Sequence, residues 1–349
     1  MARLLCRVQA QAARLGLRYA HVQRRPLVIM SAASALASLV SVGHGSAQAI
    51  DDLPMQQRLG VYKGAGCDGR AAVAGFAAWL GRRPQWVVDF LAQENWQSFN
   101  DSATWLIGCW RGANYHLALA VPMLTEDRRN TLELGAAGAY DAHFTRLAQA
   151  LVSTGRPDTV IRLGWEFNGD WSTWCPKGNP GVFIRYWRRI VGVMRAVPDS
   201  KFRFDWNPTL GTAAVAPDQV YPGDDVVDII GLDVYNQSWS VPRPNSRERW
   251  EELRRKPFGL DWHQAFAAAK GKPRSFPEWG TGRRPDGSGG GDDSLFVDQM
   301  AQWATASDVV YHAYWDYPAS DYFALMSTGQ FPRAAAAFRE RFGHITHQP

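Results

Sequence analysis

Short apolar runs alternate with longer amphipathic stretches along most of the chain. The runs Arg58–Tyr62, Trp86–Phe90, Tyr115–Val121, Thr159–Trp165, Lys201–Trp206, Val226–Leu232, Arg274–Phe276 and Val309–Trp315 are rich in β-branched and aromatic residues, and each predicts a buried strand. Apolar residues spaced by three and four predict helices over Ala71–Leu80, Ser102–Trp110, Ala139–Ser153, Gly181–Val197, Asp261–Lys270, Ser294–Ala304 and Arg333–Phe342. Strands that alternate with helices pair in parallel, because each crossover must return over the sheet before the next strand begins. Eight strands in one domain predict a closed (β/α)8 barrel of the TIM type. An open doubly wound sheet is the competing arrangement. It is disfavoured because no Gly-x-Gly-x-x-Gly opens a helix after the first strand, and because polar and aromatic residues recur at strand ends.

The front of the chain breaks this pattern. Residues 1–49 carry six Arg and no Asp or Glu, then an apolar stretch from Leu27 to Val42, then Ala47-Gln48-Ala49. That order predicts a cleaved secretory signal whose apolar part is too short to remain as an anchor, and Arg24-Arg25 also permits the twin-arginine variant. A secreted or periplasmic domain over residues 50–349 is expected, with no membrane insertion after cleavage. Loss of those six charges takes the formal net charge from +5 to −1, so the basic balance belongs to the leader and predicts no nucleic-acid partner. With the whole chain at 46% apolar and 20% charged, the part that follows the leader can bury one large core. The run Asp286-Gly-Ser-Gly-Gly-Gly-Asp-Asp293 reads as a loop inside the domain. Cys67, Cys109 and Cys175 remain after cleavage, enough for one disulfide whose pairing the spacing leaves open. A monomer is expected.

In a parallel barrel the chemistry gathers at the C-terminal ends of the strands. Those ends carry Asp89, Pro122, Glu166, Asp205-Trp206-Asn207, Asp233 with Tyr235, Glu278, and Trp315-Asp316. The fourth and seventh strands stand on opposite sides of the ring, so Glu166 and Glu278 are expected to face each other across its mouth. A lone Glu at a strand end usually serves as a cap or ion pair; two in matching settings suggest a working pair. Cleavage of a glycosidic bond calls for one carboxyl that protonates the leaving oxygen and another that stabilises the oxocarbenium-like centre. The 16 Trp point the same way, since Trp96, Trp165, Trp171, Trp174, Trp206, Trp279 and Trp315 all fall at or beyond predicted strand ends. Indole faces suit the C–H surfaces of sugars, although any single Trp more often packs the core. Arg162 shares its strand parity with Glu166 and points inward, either to orient a carboxylate or to fill the core with its stem. Asp205 either binds substrate or caps a turn. Asp224-Asp225 precede the sixth strand and read as capping groups on the opposite face. His116 and His143 show no metal spacing, and neither metal nor cofactor is expected.

Two stretches carry a resemblance. Arg162-Leu-Gly-Trp-Glu-Phe-Asn-Gly-Asp-Trp171 and Tyr221-Pro-Gly-Asp-Asp-Val-Val-Asp-Ile-Ile-Gly-Leu-Asp-Val-Tyr-Asn236 resemble the fourth- and sixth-strand motifs of glycoside hydrolase family 26, which includes β-mannanases and β-glucanases. Gly60-Val-Tyr-Lys-Gly64, Phe204-Asp-Trp-Asn-Pro208 and Lys272 to Gly280 resemble its first, fifth and seventh strands in the same order. The resemblance implies a retaining endo-β-glycosidase that hydrolyses a polysaccharide, with Glu166 as acid/base and Glu278 as nucleophile. It further implies that Tyr235 bonds the nucleophile and that Trp315 floors the sugar at the cleavage point. Trp96, Trp171, Trp206, Trp279, Asn168, Asp205 and Arg162 are the further candidates for substrate contact. Trp165 departs from the His that the mannanases place before the acid/base, so β-glucan, β-mannan and bacterial exopolysaccharide stay open as substrates. Two other classes use the same barrel. A transglycosylase would keep every one of these residues, whereas a non-catalytic carbohydrate-binding protein would drop a carboxylate, and both are present.

Overall fold

Strand pairing closes a ring. In the computed structural model, which describes residues 54–240 and 244–343, β1 (Leu59–Tyr62), β2 (Trp86–Phe90), β3 (His116–Val121), β4 (Val160–Leu163), β5 (Arg203–Trp206) and β6 (Ile229–Gly231) pair in order, all parallel. The ring is completed because β6 pairs with β8 (Arg274–Gly280), β8 with β9 (Val309–Trp315), and β9 with β1. The sixth position is split, since a second piece, β7 (Val234–Tyr235), resumes after Leu232 and Asp233. This is the expected (β/α)8 barrel, and the open sheet is excluded by the closure between β6 and β8. The predicted leader lies outside the described residues.

The sixth and seventh strands differ most from expectation. The predicted run Val226–Leu232 shortens to Ile229–Gly231, while β8 extends four residues past the predicted Phe276. Gly231 pairs with Ser275 and Val234 with Trp279, so the stretch joining β6 to β7 is one residue shorter than the segment of β8 beside it. That mismatch bends the sheet where Asp233 and Glu278 sit. The helices Gly66–Leu80, Trp96–Trp110, Asp141–Ser153, Pro180–Arg195, Leu260–Ala269, Ser294–Ala304 and Pro332–Phe342 match predicted segments, most with shifted ends. Leu132–Ala136 and Ser246–Arg255 are additional. The second of these is too polar to show an apolar stripe, and its start is fixed by a capping box in which Asn245 and Glu248 exchange side-chain to backbone bonds.

The barrel interior is filled by alternate residues of each strand. Trp86 stacks on Tyr311 at 4.6 Å across the lower part of the barrel, and Tyr62 stacks on Trp315 at 4.3 Å nearer the mouth. Gly60 makes room for the lower pair, because an added Cβ would meet that of Trp86 at 2.8 Å. A disulfide joins Cys67 to Cys109 and ties the helix Gly66–Leu80 to Trp96–Trp110, leaving Cys175 free. Among the described residues, no helix is long and apolar enough to cross a membrane.

Candidate active site

The fourth strand delivers the first carboxyl. β4 ends at Leu163, and Gly164 turns the chain with φ 60°, where an added Cβ would meet the Met123 sulfur at 2.6 Å. Glu166 itself holds φ 50°, a sparsely populated conformation for a residue with a side chain. The turn is fixed by its own N–H donating to the Asn207 carbonyl at 2.7 Å and by Gly169 N–H donating to its carbonyl at 3.0 Å. Trp171 Nε1 donates to Glu166 Oε2 at 3.1 Å. Trp165 is buried beside it between Phe90 and Trp174, with ring centroids at 5.5 and 4.7 Å. Burial, and then the charge of Glu278, push the Glu166 carboxyl up to about 8. It therefore keeps its proton at neutral pH.

The seventh strand delivers the second. Glu278 Oε1 accepts from Arg162 Nη2 at 2.7 Å and Oε2 accepts from the Tyr235 hydroxyl at 2.7 Å. Its backbone N–H donates to Asp233 Oδ1 at 3.0 Å, across the break in the sixth strand. Arg162 is fully buried and also donates to Asn207 Oδ1, through Nε at 2.9 Å and Nη2 at 2.7 Å, and to Asp233 Oδ2 at 2.9 Å. Burial opposes its charge, but the Asp233 and Glu278 carboxylates outweigh that and hold the guanidinium above its ordinary value. Of the two roles open for Arg162, the geometry selects the orientation of a carboxylate. Burial, then Glu278, raise the Tyr235 phenol well above its usual range, so it remains a donor.

Trp315 lines the inner wall next to this pair, edge-on to Phe90 at 5.8 Å and to Tyr235 at 6.3 Å. Trp171 reaches Glu166 as described. The other candidates stand elsewhere. Asp205 lies below the mouth, where it accepts from Ser275 Oγ at 2.6 Å and the Tyr311 hydroxyl at 2.7 Å, and burial pushes it up to about 6; it belongs to the packing of the barrel interior. Trp206 is fully buried behind the sheet against Phe167 and Phe266, at 5.0 and 5.7 Å. Trp279 is likewise outside the barrel, packed on Phe338 at 5.7 Å and donating to His312 Nδ1 at 3.2 Å. Both were expected to present faces to substrate, and both are core residues, because they follow inward-facing Asp205 and Glu278 by one position and so point to the other side. Trp96 opens a helix and stacks on His143 at 4.4 Å, which covers the face expected to meet a sugar. Asn168 is buried and clamps two loops, donating to the Thr209 and Gly211 carbonyls at 2.9 and 3.0 Å and accepting from Thr209 N–H at 2.8 Å. Asn207 and Asp233, noted at strand ends without a role, are the partners that hold Arg162. Among the described residues no group of three or more His, Cys, Asp or Glu is disposed to hold a metal ion.

Comparison with known proteins adds an independent line. The description "Glycosyl hydrolase family 26" matches residues 143–247, a stretch that contains Glu166 and Tyr235. Endoglucanase H of Acetivibrio thermocellus is 25% identical over 225 residues, covering 61% of this chain and 23% of that protein. The chain thus spans about a quarter of the length of the curated relative it matches. Among solved structures, a modular endo-beta-1,4-mannanase from Cellulomonas fimi aligns with TM-score 0.61 and 19% identity, over 83% of this chain and 73% of that one. A Bacillus subtilis mannanase aligns with TM-score 0.57 and 17% identity, over 82% of this chain and 86% of that one. At such identities the structural likeness speaks to the shared barrel.

Proposed function

We infer that this chain is a member of glycosyl hydrolase family 26, whose description matches residues 143–247, and a retaining endo-β-glycosidase acting on a β-linked polysaccharide. The observation that carries this reading is the opposite surroundings of two facing carboxyls. Glu166 is buried with the Thr209 hydroxyl and the Trp171 indole as its neutral donors and holds a proton, while Glu278 receives a guanidinium and a phenol. In the first step Glu166 gives its proton to the glycosidic oxygen as the bond from the anomeric carbon to that oxygen breaks. A Glu278 oxygen attacks the same carbon and forms a covalent glycosyl ester. In the second step Glu166, now ionised, takes a proton from water as the water oxygen displaces Glu278. Arg162 and Tyr235 hold the Glu278 carboxylate in line throughout, and Trp315 supplies a flat wall for the ring being cleaved.

β-Glucan and β-mannan are the substrates favoured by the relatives, an endoglucanase and mannanases. Trp165, where the mannanases keep His, argues for testing glucan first. The Cys67–Cys109 disulfide supports export to an oxidising compartment by the leader of residues 1–49. N-terminal sequencing of exported protein should then begin at or next to Ile50, and an intact leader on it would count against that reading.

Glu278→Ala tests the mechanism. It should abolish turnover, and azide should partly rescue cleavage of an activated aryl glycoside to give a product of inverted anomeric configuration. Near wild-type hydrolysis by this variant would remove Glu278 from the reaction.

A further inference from the structure

Among the described residues, Leu134 and Trp239 are the large apolar side chains that stand well exposed, and Trp239 is the more open at 60%. Trp239 lies in the loop that follows β7, hence on the mouth face of the barrel. That loop is anchored: Gln237 bridges to Gly289, Ser238 N–H donates to the Ser288 carbonyl at 3.0 Å, and the Ser238 hydroxyl bonds Glu252. The indole is anchored too, with Nε1 donating to Asp286 Oδ2 at 3.2 Å and the Arg284 guanidinium 5.2 Å over the ring. An exposed indole held by its edge and one face is a rigid flat surface, which loses little conformational freedom when a ligand stacks on it.

A second observation lies between this indole and the nucleophile. Asp321, in the loop after β9, is only 6% exposed, yet neither carboxylate oxygen has a hydrogen-bond partner of good geometry. A buried carboxylate without partners is costly unless something completes it. Backbone pairing sets its place, because Arg283 and Phe323 exchange N–H to carbonyl bonds of 2.9 Å each and lay this segment along the loop after β8. Next to it, Tyr322 packs on Tyr235 at 4.8 Å and donates to the Asn236 carbonyl at 3.0 Å. Burial raises the Asp321 carboxyl most, its own backbone N–H, the Arg284 charge and the Tyr322 N–H lower it, and the charge of Glu278 raises it, so it feels both neighbouring charges while no side chain bonds it.

We propose that Asp321, Arg284 and Trp239 form a sugar subsite on the strand-seven side of the mouth, taking a ring beyond the one at the cleavage point in a neutral polysaccharide. The proposal rests on the glycosidase reading and names the part of the substrate that reading left open. Sugar hydroxyls donate to the Asp321 oxygens, which have no well-formed hydrogen bond of their own, and the next ring lays its C–H face on Trp239. Neutrality follows from the charges: Asp286 and Asp321 flank a single guanidinium, so a uronate ring would meet excess negative charge.

Titration calorimetry on the Glu278→Ala protein, which leaves substrate uncut, tests this with cellohexaose, mannohexaose, the matching disaccharides and a hexagalacturonate as probes. Adding Trp239→Ala should weaken the tighter-binding neutral hexasaccharide by roughly ten-fold or more, and its disaccharide by much less. Trp239→Phe should restore part of the loss, and Asp321→Asn should weaken the same hexasaccharide several-fold, with melting temperatures confirming that each variant folds. The subsite is overturned if neither neutral hexasaccharide binds, if both substitutions leave the affinity unchanged, or if the hexagalacturonate binds more tightly than both. Failure of the glycosidase reading looks different: the wild-type protein would leave both neutral hexasaccharides and their polysaccharides uncut, while the affinity loss at Trp239 would stand.

Discussion

Replacing Glu166 with Gln removes a carboxyl that folding makes harder to ionise, so the variant should gain stability in a pH-dependent way. Burial and the charge of Glu278 move this group from its ordinary 4.5 up to about 8. Between those values the folded state binds more protons than the unfolded one, and stability therefore falls as pH rises, with the loss complete above about 8. At pH 7 the unfolded carboxyl is about 2.5 units past its pKa while the folded one is still protonated. At about 1.4 kcal/mol per unit, that difference costs the wild type on the order of 3 kcal/mol. Gln cannot ionise and escapes the penalty. Its stability relative to wild type should hold a constant offset below pH 4 and then rise by about 3 kcal/mol by pH 7. For a chain of this size, that widens the gap in melting temperature by roughly 5–10 °C. Calorimetric melts of both proteins from pH 4 to 8 read the effect directly. Parallel curves would show that Glu166 does not carry a proton stabilised by burial, and a gap that closes with rising pH would mean that the fold favours its ionised form.

Three further outcomes are expected. Tyr235→Phe removes the hydroxyl that donates to Glu278 Oε2 at 2.7 Å; at about 1.5–3 kcal/mol for a bond to a charged group, kcat should fall roughly 10- to 100-fold with the melting temperature little changed, and an unaltered kcat would separate the phenol from the chemistry. Cys67→Ser with Cys109→Ser opens a loop spanning 42 positions and should cost about 4 kcal/mol in denaturant unfolding, whereas equal stability with and without reductant would argue against the bridge in the exported protein. The alkaline limb of kcat/KM should fall near pH 8, where Glu166 loses the proton it has to donate, and a limb that stays in place in Glu166→Ala would assign it to another group.

The barrel was legible in the alternation of strands and helices because the pattern repeats around the whole ring, so an error at one element hardly alters the topology. The catalytic candidates were legible because strand order alone puts the ends of β4 and β8 on opposite sides. What the sequence hid was direction. Parity was applied to Arg162 and placed it correctly inside, but the same rule sends Trp206 and Trp279 outward, since their neighbours Asp205 and Glu278 face the interior. A high tryptophan count near strand ends therefore mixes two populations, one lining the mouth and one sealing the sheet against the helices. The break between β6 and β7 was also hidden, because Val226 to Leu232 is apolar throughout and nothing local says that pairing stops at Gly231. Asp321 and Trp239 lie in loops without periodicity, and only the pairing of each loop against the one after β8 brings them to Arg284 and puts Asp321 within the field of Glu278.

The placement of the Arg162 guanidinium explains why two glutamates in one cavity differ. Glu166, Asp233 and Glu278 surround the upper interior, and among them Arg162 pairs with Asp233 at 2.9 Å and with Glu278 at 2.7 Å. A single cation cannot offset three anions in a medium that screens poorly, so protons must make up the deficit. The arrangement directs where they go, and burial raises the Asp233 carboxyl well above its ordinary range even against the lowering charge of Arg162. Glu278 takes both the guanidinium and the phenol, whereas Glu166 has only the neutral Thr209 hydroxyl and Trp171 indole as donors, and burial and the field of Glu278 hold its proton on. Esterification of Glu278 would remove that field, and with it part of the reason for Glu166 to stay protonated. The same carboxyl would then be a protonated acid while its partner is free, and a stronger acid, hence ionised and available as a base toward water, once its partner is esterified. On the proposed double displacement, the exchange of roles would thus follow from the position of Arg162 on one side of the cavity.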